Sequence, residues 1–199
     1  MIGVGLPKTG TTTLEAMFRQ LGYRHAPCDV ELVHQIAGGE RSGLAPMLAQ
    51  YNSFEDWPWP LVYRDLPALP SKALMLTQRA SPEIWLESQR KQSDIQPNKA
   101  SHQLRITFFG SDNPWEDGQT YLDFYWNHLD AVRAYAKGEA IPLLELCWED
   151  GDGWPELCAF LGHDPVDGPI PHANSADLGS RLATRARRKL GRLVRSVTG

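Results

Sequence analysis

The chain has 199 residues, of which 42% are hydrophobic and 22% are charged, and its formal net charge at pH 7 is -4. This balance is typical of one folded domain with a substantial core, and it argues against a disordered chain or a nucleic-acid-binding protein. No apolar run is long enough to span a bilayer, and Met1 leads directly into an ordered unit without a signal peptide, so we expect a cytoplasmic location.

The first 22 residues are typical of a strand, a loop and a helix. Residues 1–6 are mostly apolar and suit a buried parallel strand. Apolar side chains then recur with the spacing of one helix face: Leu14, Met17, Phe18 and Leu21. Gly22 stands where a helix commonly ends.

The loop of this unit, Pro7-Lys8-Thr9-Gly10-Thr11-Thr12-Thr13, predicts a phosphate-binding site. A helix start offers unpaired backbone N–H groups and a positive dipole end, to which hydroxyl groups and one lysine add further donors. Gly5 and Gly10 have the glycine spacing of a Walker A loop, but Lys8 precedes the second glycine instead of following it. This displacement argues against an ordinary ATPase or kinase. A tight turn with a solvent-exposed lysine is the structural alternative.

The same residues resemble the Pro-Lys-Ser-Gly-Thr-Thr signature of sulfotransferases that use 3′-phosphoadenosine 5′-phosphosulfate (PAPS). The chain is similar to the small bacterial-type members, which have a fold like that of P-loop nucleoside triphosphate hydrolases. The resemblance implies that the 5′-phosphosulfate of PAPS is bound by Pro7, Lys8, Thr9, Gly10, Thr11, Thr12 and Thr13. Thr9 replaces the usual serine and keeps its hydroxyl group.

The next segment predicts two short helices, residues 29–37 and 42–51, followed by a passage rich in proline and tryptophan. Asp56-Trp-Pro-Trp-Pro60 resembles an Asp-x-Pro segment of the small sulfotransferases. Sulfuryl transfer requires a base that takes a proton from the acceptor. Asp56 is the first candidate for this base. His25, which is expected at the end of a second strand, is the second candidate, and Glu55 is the third. Trp57 and Trp59 could line an acceptor pocket or pack in the core.

A second phosphate-binding element is expected after the next strand, predicted over residues 73–77. Ser81 can cap the helix that follows and Pro82 suits its first position, so Arg79 emerges at the carboxyl edge of the sheet. The family grips the 3′-phosphate of PAPS with an arginine and a serine, which implies this role for Arg79 and Ser88. Their separation is nine positions where eight is usual, so an extra residue is expected in the intervening turn. A surface salt bridge and an exposed helical serine are the structural alternatives.

Further along, the sequence predicts a long helix over residues 114–137, a strand over 140–146, a short helix over 153–161 and an irregular, proline-rich segment over 164–174. His172 and Asn174 in that segment could support the nucleotide or the acceptor. The alternation favours a three-layer α/β fold around a mostly parallel sheet. Three cysteines have no metal-binding spacing, which predicts reduced, packing cysteines and no metal site: Cys28, Cys147 and Cys158.

The sequence predicts a sulfotransferase-like domain over residues 1–176 and a basic C-terminal helix over 177–199. The positive charges of this tail are concentrated in one stretch: Arg181, Arg185, Arg187, Arg188, Lys189, Arg192 and Arg195. With its apolar side, the helix could contact an anionic membrane or an acidic partner, or close over the 3′-phosphate. A solvated helix packed by its leucines is the structural alternative.

The resemblance implies a PAPS-dependent sulfotransferase that modifies a hydroxyl or amine of a small-molecule, lipid or carbohydrate acceptor. The product of the donor would be 3′-phosphoadenosine 5′-phosphate (PAP). Two alternatives stay open at this point. One is a P-loop kinase that uses ATP, and the other is a non-catalytic adaptor that binds a nucleotide or a membrane surface.

Overall fold

The computed structural model describes residues 1–66, 72–95 and 99–171, apart from the side chains of 99–101. The elements in chain order are β1 (Ile2–Gly3), α1 (Thr11–Gln20), α2 (Val30–Ala37), α3 (Leu44–Gln50), α4 (Trp59–Val62), β2 (Leu74–Gln78), α5 (Pro82–Ile95), α6 (Lys99–Phe109), α7 (Gly118–Gly138), β3 (Leu143–Cys147), a 3₁₀ turn (Trp148–Asp150) and α8 (Trp154–Leu161).

The three strands form one parallel sheet in the order β1-β2-β3. Leu74 of the central strand lies opposite Ile2 on one side and Leu143 on the other. Successive side chains of a strand point to opposite faces, so Leu74 and Leu76 enter one apolar cluster and Met75 enters the other. Both faces of β2 are therefore buried, which explains its uninterrupted apolar run.

Helices cover both faces of this sheet. On one face α1 and α8 contribute Leu14, Phe18 and Leu157 to the cluster around Met75. On the other face lie α5 and α7, whose contributions include the fully buried Trp85. The predicted three-layer α/β fold with a parallel sheet, which is P-loop-like, is confirmed.

Of two predictions about strands, the first holds only in part and the second is wrong. The strand expected over residues 1–6 has only two residues in β1, because the chain turns away after the Val4 N–H donates to the Met75 carbonyl. His25 does not end a strand. It forms an isolated β-bridge with Ser53 that does not belong to any of the three strands.

The carboxyl ends of all three strands meet at one edge of the sheet, because the strands are parallel. β1 leads into the loop of residues 4–10, which we call the phosphate loop, and then into α1. β2 leads to Arg79 and α5, as predicted, and β3 leads to the 3₁₀ turn of Trp148–Asp150. This edge is where open α/β sheets bind ligands.

The predictions for the cysteines and for the C-terminal segment have different outcomes. Cys147 and Cys158 are buried as expected, but Cys28 is exposed, so its prediction as a packing cysteine is wrong. The basic tail, His172 and Asn174 lie outside the described residues. Within the described ranges, no helix combines the length and hydrophobicity needed to cross a bilayer.

Candidate active site

The phosphate loop has the backbone geometry of an anion-binding turn. Lys8 and Gly10 both have positive φ angles, 76° and 94°, and Thr11 then begins α1. A Cβ atom on residue 10 would collide with the indole of Trp148, so glycine is required there by space as well as by conformation. The first turn of α1 carries no acidic side chain. Its amides and dipole therefore favour an anion.

Thr9 holds the loop from inside the fold. Its hydroxyl lies 2.7 Å from the Leu6 carbonyl oxygen and 2.6 Å from the Thr77 hydroxyl, and its N–H donates to the same carbonyl. The hydroxyl that the sequence assigns to cofactor binding is thus fully buried. Its contacts shape the loop and join it to β2.

Helix α5 clamps the outer side of the loop. The Pro7 carbonyl accepts hydrogen bonds from Trp85 Nε1 at 2.9 Å and Gln89 Nε2 at 3.0 Å. Lys8 Nζ donates to Gln92 Oε1 at 3.3 Å. The sequence analysis missed both glutamines, although the spacing 85, 89, 92 follows one helix face and could have indicated a shared target.

Arg79 lies directly beside the phosphate loop. Its Nη1 donates to the Lys8 carbonyl at 3.1 Å, and its backbone N–H donates to the Tyr125 hydroxyl at 3.1 Å. Its Nη2 pairs with Glu149 at 2.5 Å. The predicted partner Ser88 lines the same open groove, of about 450 Å³, which we call the Arg79 groove; its other lining residues are Glu83, Ile84, Glu87 and Lys91.

The three threonines that follow Gly10 differ in burial at the start of α1. Thr11 is buried, and its side chain opposes the rise in the pKa of Glu55 and of Asp56. Thr12 and Thr13 are half-buried. Thr11 therefore connects the phosphate loop, which ends at Gly10, with Glu55 and Asp56.

The positive charge of Lys8 acts on the Asp56 carboxyl, so these two predicted residues lie within electrostatic range of each other. The backbone of Asp56 has a φ of 57°, and its Oδ1 accepts from the Trp57 N–H at 2.8 Å. Burial raises the pKa of the Asp56 carboxyl, although the Trp57 N–H and the positive charge of Lys8 oppose this shift. A carboxylate with a raised pKa is a stronger base.

Glu55 and His25 lie deeper than Asp56, and we call these three residues the acid cluster. His25 Nδ1 lies 3.0 Å from the Ser53 hydroxyl, and its Nε2 lies 3.8 Å from Glu55 Oε1. Burial lowers the pKa of His25 to about 4. Burial also raises the pKa of Glu55 far above its usual range, and the charges of Asp56 and Glu15 add to this effect. Both shifts in pKa favour the neutral forms of the two groups near pH 7 and so argue against an ion pair between them.

The tryptophans beside Asp56 divide into two environments. Trp59 is 1% exposed and packs on Phe54 in the core. Trp57 is half-buried and stacks on Phe108, with ring centroids 4.4 Å apart. Core packing is therefore the role of Trp59, while Trp57 keeps a partly exposed face near the acid cluster.

Potential metal ligands also meet here. Glu15, His25 and Glu55 place ligand atoms within 4.8 Å of one another. Glu15 is already paired with Arg19 at 2.9 Å. The absence of a metal site, expected from the sequence, stays a prediction.

The first strand of the parallel sheet leads into a loop that carries a lysine and then into a helix, and an arginine follows the next strand. This arrangement defines an α/β protein with a P-loop-like fold. A family model described as a sulfotransferase domain matches residues 1–178, and the chain belongs to this family. Family membership supports a sulfotransferase-type function.

The chain is also similar to a curated fungal protein, the Ava biosynthesis cluster protein M of Aspergillus versicolor. The two are 27% identical over 154 residues, which cover 66% of this chain and 57% of the relative. The chain therefore spans little more than half the length of that relative.

Proposed function

We propose that the chain transfers a sulfuryl group from PAPS to a hydroxyl or amine of a small-molecule, lipid or carbohydrate acceptor and releases PAP. The observation that carries this proposal is the direct contact between two anion-binding elements. Arg79, which shares a groove with Ser88, donates to the carbonyl of Lys8 in the phosphate loop. Two adjacent anion sites suit a nucleotide with phosphates at both its 3′ and 5′ positions.

The residues present fit such a nucleotide at the phosphate loop. The loop offers the amides at the start of α1 and Lys8, without a nearby acidic side chain in the first turn. Two buried donors next to it, Arg79 Nε and Trp148 Nε1, have no hydrogen-bond acceptor among the described residues. Buried donors without partners are costly, and an anion bound at this edge would be close to both.

The chemistry of the donor is an activated sulfuryl group attached to a phosphate that leaves. Lys8 and the α1 amides would stabilise the negative charge that grows on the departing phosphate. Asp56 would take the proton of the attacking hydroxyl or amine. The influence of the Lys8 charge on the pKa of Asp56 supports a site in which the base and the charge-stabilising group act on the same reaction.

Asp56 is a better candidate for the base than His25. The side chain of His25 is 1% exposed, whereas Asp56 is only half-buried. A base must reach the acceptor directly or through one water molecule. We therefore assign the role of base to Asp56 and not to the buried His25.

Calorimetric titration with PAP, AMP and ATP tests the proposal. We expect tight binding that requires the 3′-phosphate and is weakened by Lys8→Ala and by Arg79→Ala. Lys137→Ala removes an exposed positive charge near the end of α7 and serves as the matched control. Binding that prefers ATP and requires Mg²⁺ would instead support the kinase alternative. Tight PAP binding without turnover over a broad acceptor panel would support the adaptor.

The acceptor class, the cytoplasmic location and the contact of the basic tail with an anionic membrane or acidic partner remain proposals. Binding to nucleic acid is not expected. Sedimentation with anionic vesicles, compared between the full chain and a chain that ends at residue 176, tests the role of the tail. Equal sedimentation of both would exclude a membrane role for residues 177–199.

A further inference from the structure

The 3₁₀ turn after β3 touches both anion-binding elements of the site. Trp148 packs against Gly10, where a Cβ atom would collide with its indole. The next residue, Glu149, pairs with Arg79 at the entrance of the Arg79 groove. Two consecutive side chains thus connect the end of β3 with the phosphate loop and with the arginine assigned to the 3′-phosphate.

The carboxylate of Glu149 accepts from the Cys147 thiol at 3.6 Å and also uses two stronger donors at once. Its Oε1 lies 2.5 Å from Arg79 Nη2, and its Oε2 accepts from the Ala80 N–H at 2.9 Å. A guanidinium group and a backbone N–H just before a helix are also the donors that bind a phosphate well. The carboxylate and a phosphate cannot both use these donors.

The charges around the groove make this competition costly for a phosphate. Arg79 and Lys91 are its cations, and Lys91 lies 3.5 Å from Glu87. Glu83 and Glu87 line the groove, and Glu149 adds a third carboxylate against two cations. A phosphate would therefore meet a net negative environment for as long as Glu149 stays on Arg79.

We propose that Glu149 is a built-in competitor for the 3′-phosphate site, which must leave Arg79 when a 3′-phosphorylated nucleotide binds. This inference rests on the proposed function. Glu149 is suited to movement, because its side chain is 33% exposed and it lies in a short turn and not in the sheet. Its competition lowers the affinity for PAP and affects a nucleotide without a 3′-phosphate little.

The opposite role for Glu149 would be to orient Arg79 for the phosphate. An orienting carboxylate would strengthen PAP binding, so its removal would weaken binding. A competing carboxylate has the reverse effect. The sign of the change in affinity therefore separates the two roles.

Titration calorimetry of the full chain with PAP and with AMP provides the test. Glu149→Gln keeps the shape of the side chain and removes its charge, and we expect about tenfold tighter binding of PAP and a change of less than about twofold for AMP. Glu83→Gln removes a charge from the same groove without touching Arg79, so its effect on PAP should be about threefold or less. Glu149→Asp keeps the charge but is too short to reach both donors, and intermediate PAP affinity is expected.

Weaker or unchanged PAP binding by Glu149→Gln would overturn the inference, as would an equal gain for PAP and AMP. Thermal melting of each variant verifies that it is folded, and Glu149→Asp supplies the comparison if Glu149→Gln is not. If the wild type prefers PAP over AMP and loses this preference in Arg79→Ala, the proposed function stands and the inference is judged separately. If neither the wild type nor any variant prefers PAP, both fail.

Discussion

The phosphate side and the acid side of the site are built in different ways. The phosphate side consists mainly of backbone groups, whose positions are fixed by hydrogen bonds from Thr9, Trp85 and Gln89. The acid side consists of side chains, His25, Glu55 and Asp56, whose charge states depend on their burial. The first arrangement determines shape, and the second determines protonation.

This difference predicts different responses to substitution. A change on the phosphate side should alter loop geometry, nucleotide affinity and stability, because each backbone group there has a specific partner. A change on the acid side should alter the dependence of activity or stability on pH, because burial shifts the pKa of each member. Substitutions at four positions test this division.

The largest effect is expected for Asp56→Asn. The amide still accepts from the Trp57 N–H but cannot take a proton, so we expect turnover to fall about 10²–10⁴-fold while PAP affinity does not fall. Transfer from labelled PAPS to an acceptor found by screening measures this. Asp123→Asn, at an exposed position of α7, is the control. A variant that keeps more than about a third of its activity would move the role of base away from Asp56.

Lys8 substitutions should separate charge from backbone strain. Lys8→Ala and Lys8→Gly both remove the ammonium group, and turnover should fall about 10²–10³-fold in each. The positive φ of Lys8 favours glycine, so Lys8→Gly should be about 1 kcal/mol more stable than Lys8→Ala. Turnover assays and urea unfolding measure the two effects. Equal stability of the variants would argue against strain at this position.

Gly10→Ala should destabilise the fold by about 3 kcal/mol, because it combines an unfavourable positive φ with a collision against Trp148. Gly162→Ala is the matched control, since Gly162 also has a positive φ but open space around it. We expect a loss of about 1 kcal/mol for the control. Urea unfolding gives both values, and equal losses would show that Trp148 yields to the added methyl group.

The smallest effect is expected for His25→Gln and depends on pH. Because the folded pKa of His25 is about 4 and the unfolded value is 6.5, the unfolded chain binds more protons between these values, and acidification destabilises the fold. Between pH 7 and pH 5 the variant should lose about 2 kcal/mol less than the wild type. Urea unfolding at both pH values measures this difference.

Exposed His34 on α2 gives the control for that experiment, because His34→Gln should leave the pH dependence of stability unchanged. The raised pKa of Glu55 acts in the opposite direction, since its contribution to stability is lost as pH rises above its unfolded value. Only the difference between His25→Gln and the wild type therefore isolates His25. No difference between them would mean that His25 is protonated equally in both states.

Much of the fold follows from local sequence patterns. The helix that begins after Gly10, the cap at Ser81 and the strand that carries Arg79 depend on residues a few positions apart, and the structure has all three. The strand predicted over residues 1–6 is present but shorter, since its length depends on the neighbour that supplies hydrogen bonds. Asp56 could be singled out by its motif, but its pKa could not be derived before its burial was known.

The sequence by itself determined most of the helices, the strand before Arg79 and the phosphate loop, because helix periodicity, capping and turn chemistry act over a few residues; it did not predict α4 or α6. Only the tertiary structure brought Gln92 to Lys8 and Glu149 to Arg79, over separations of 84 and 70 positions. It also decided that Thr9 and His25 are buried. Such contacts depend on how the strands and helices pack, and the residues themselves carry no local pattern that indicates their partners.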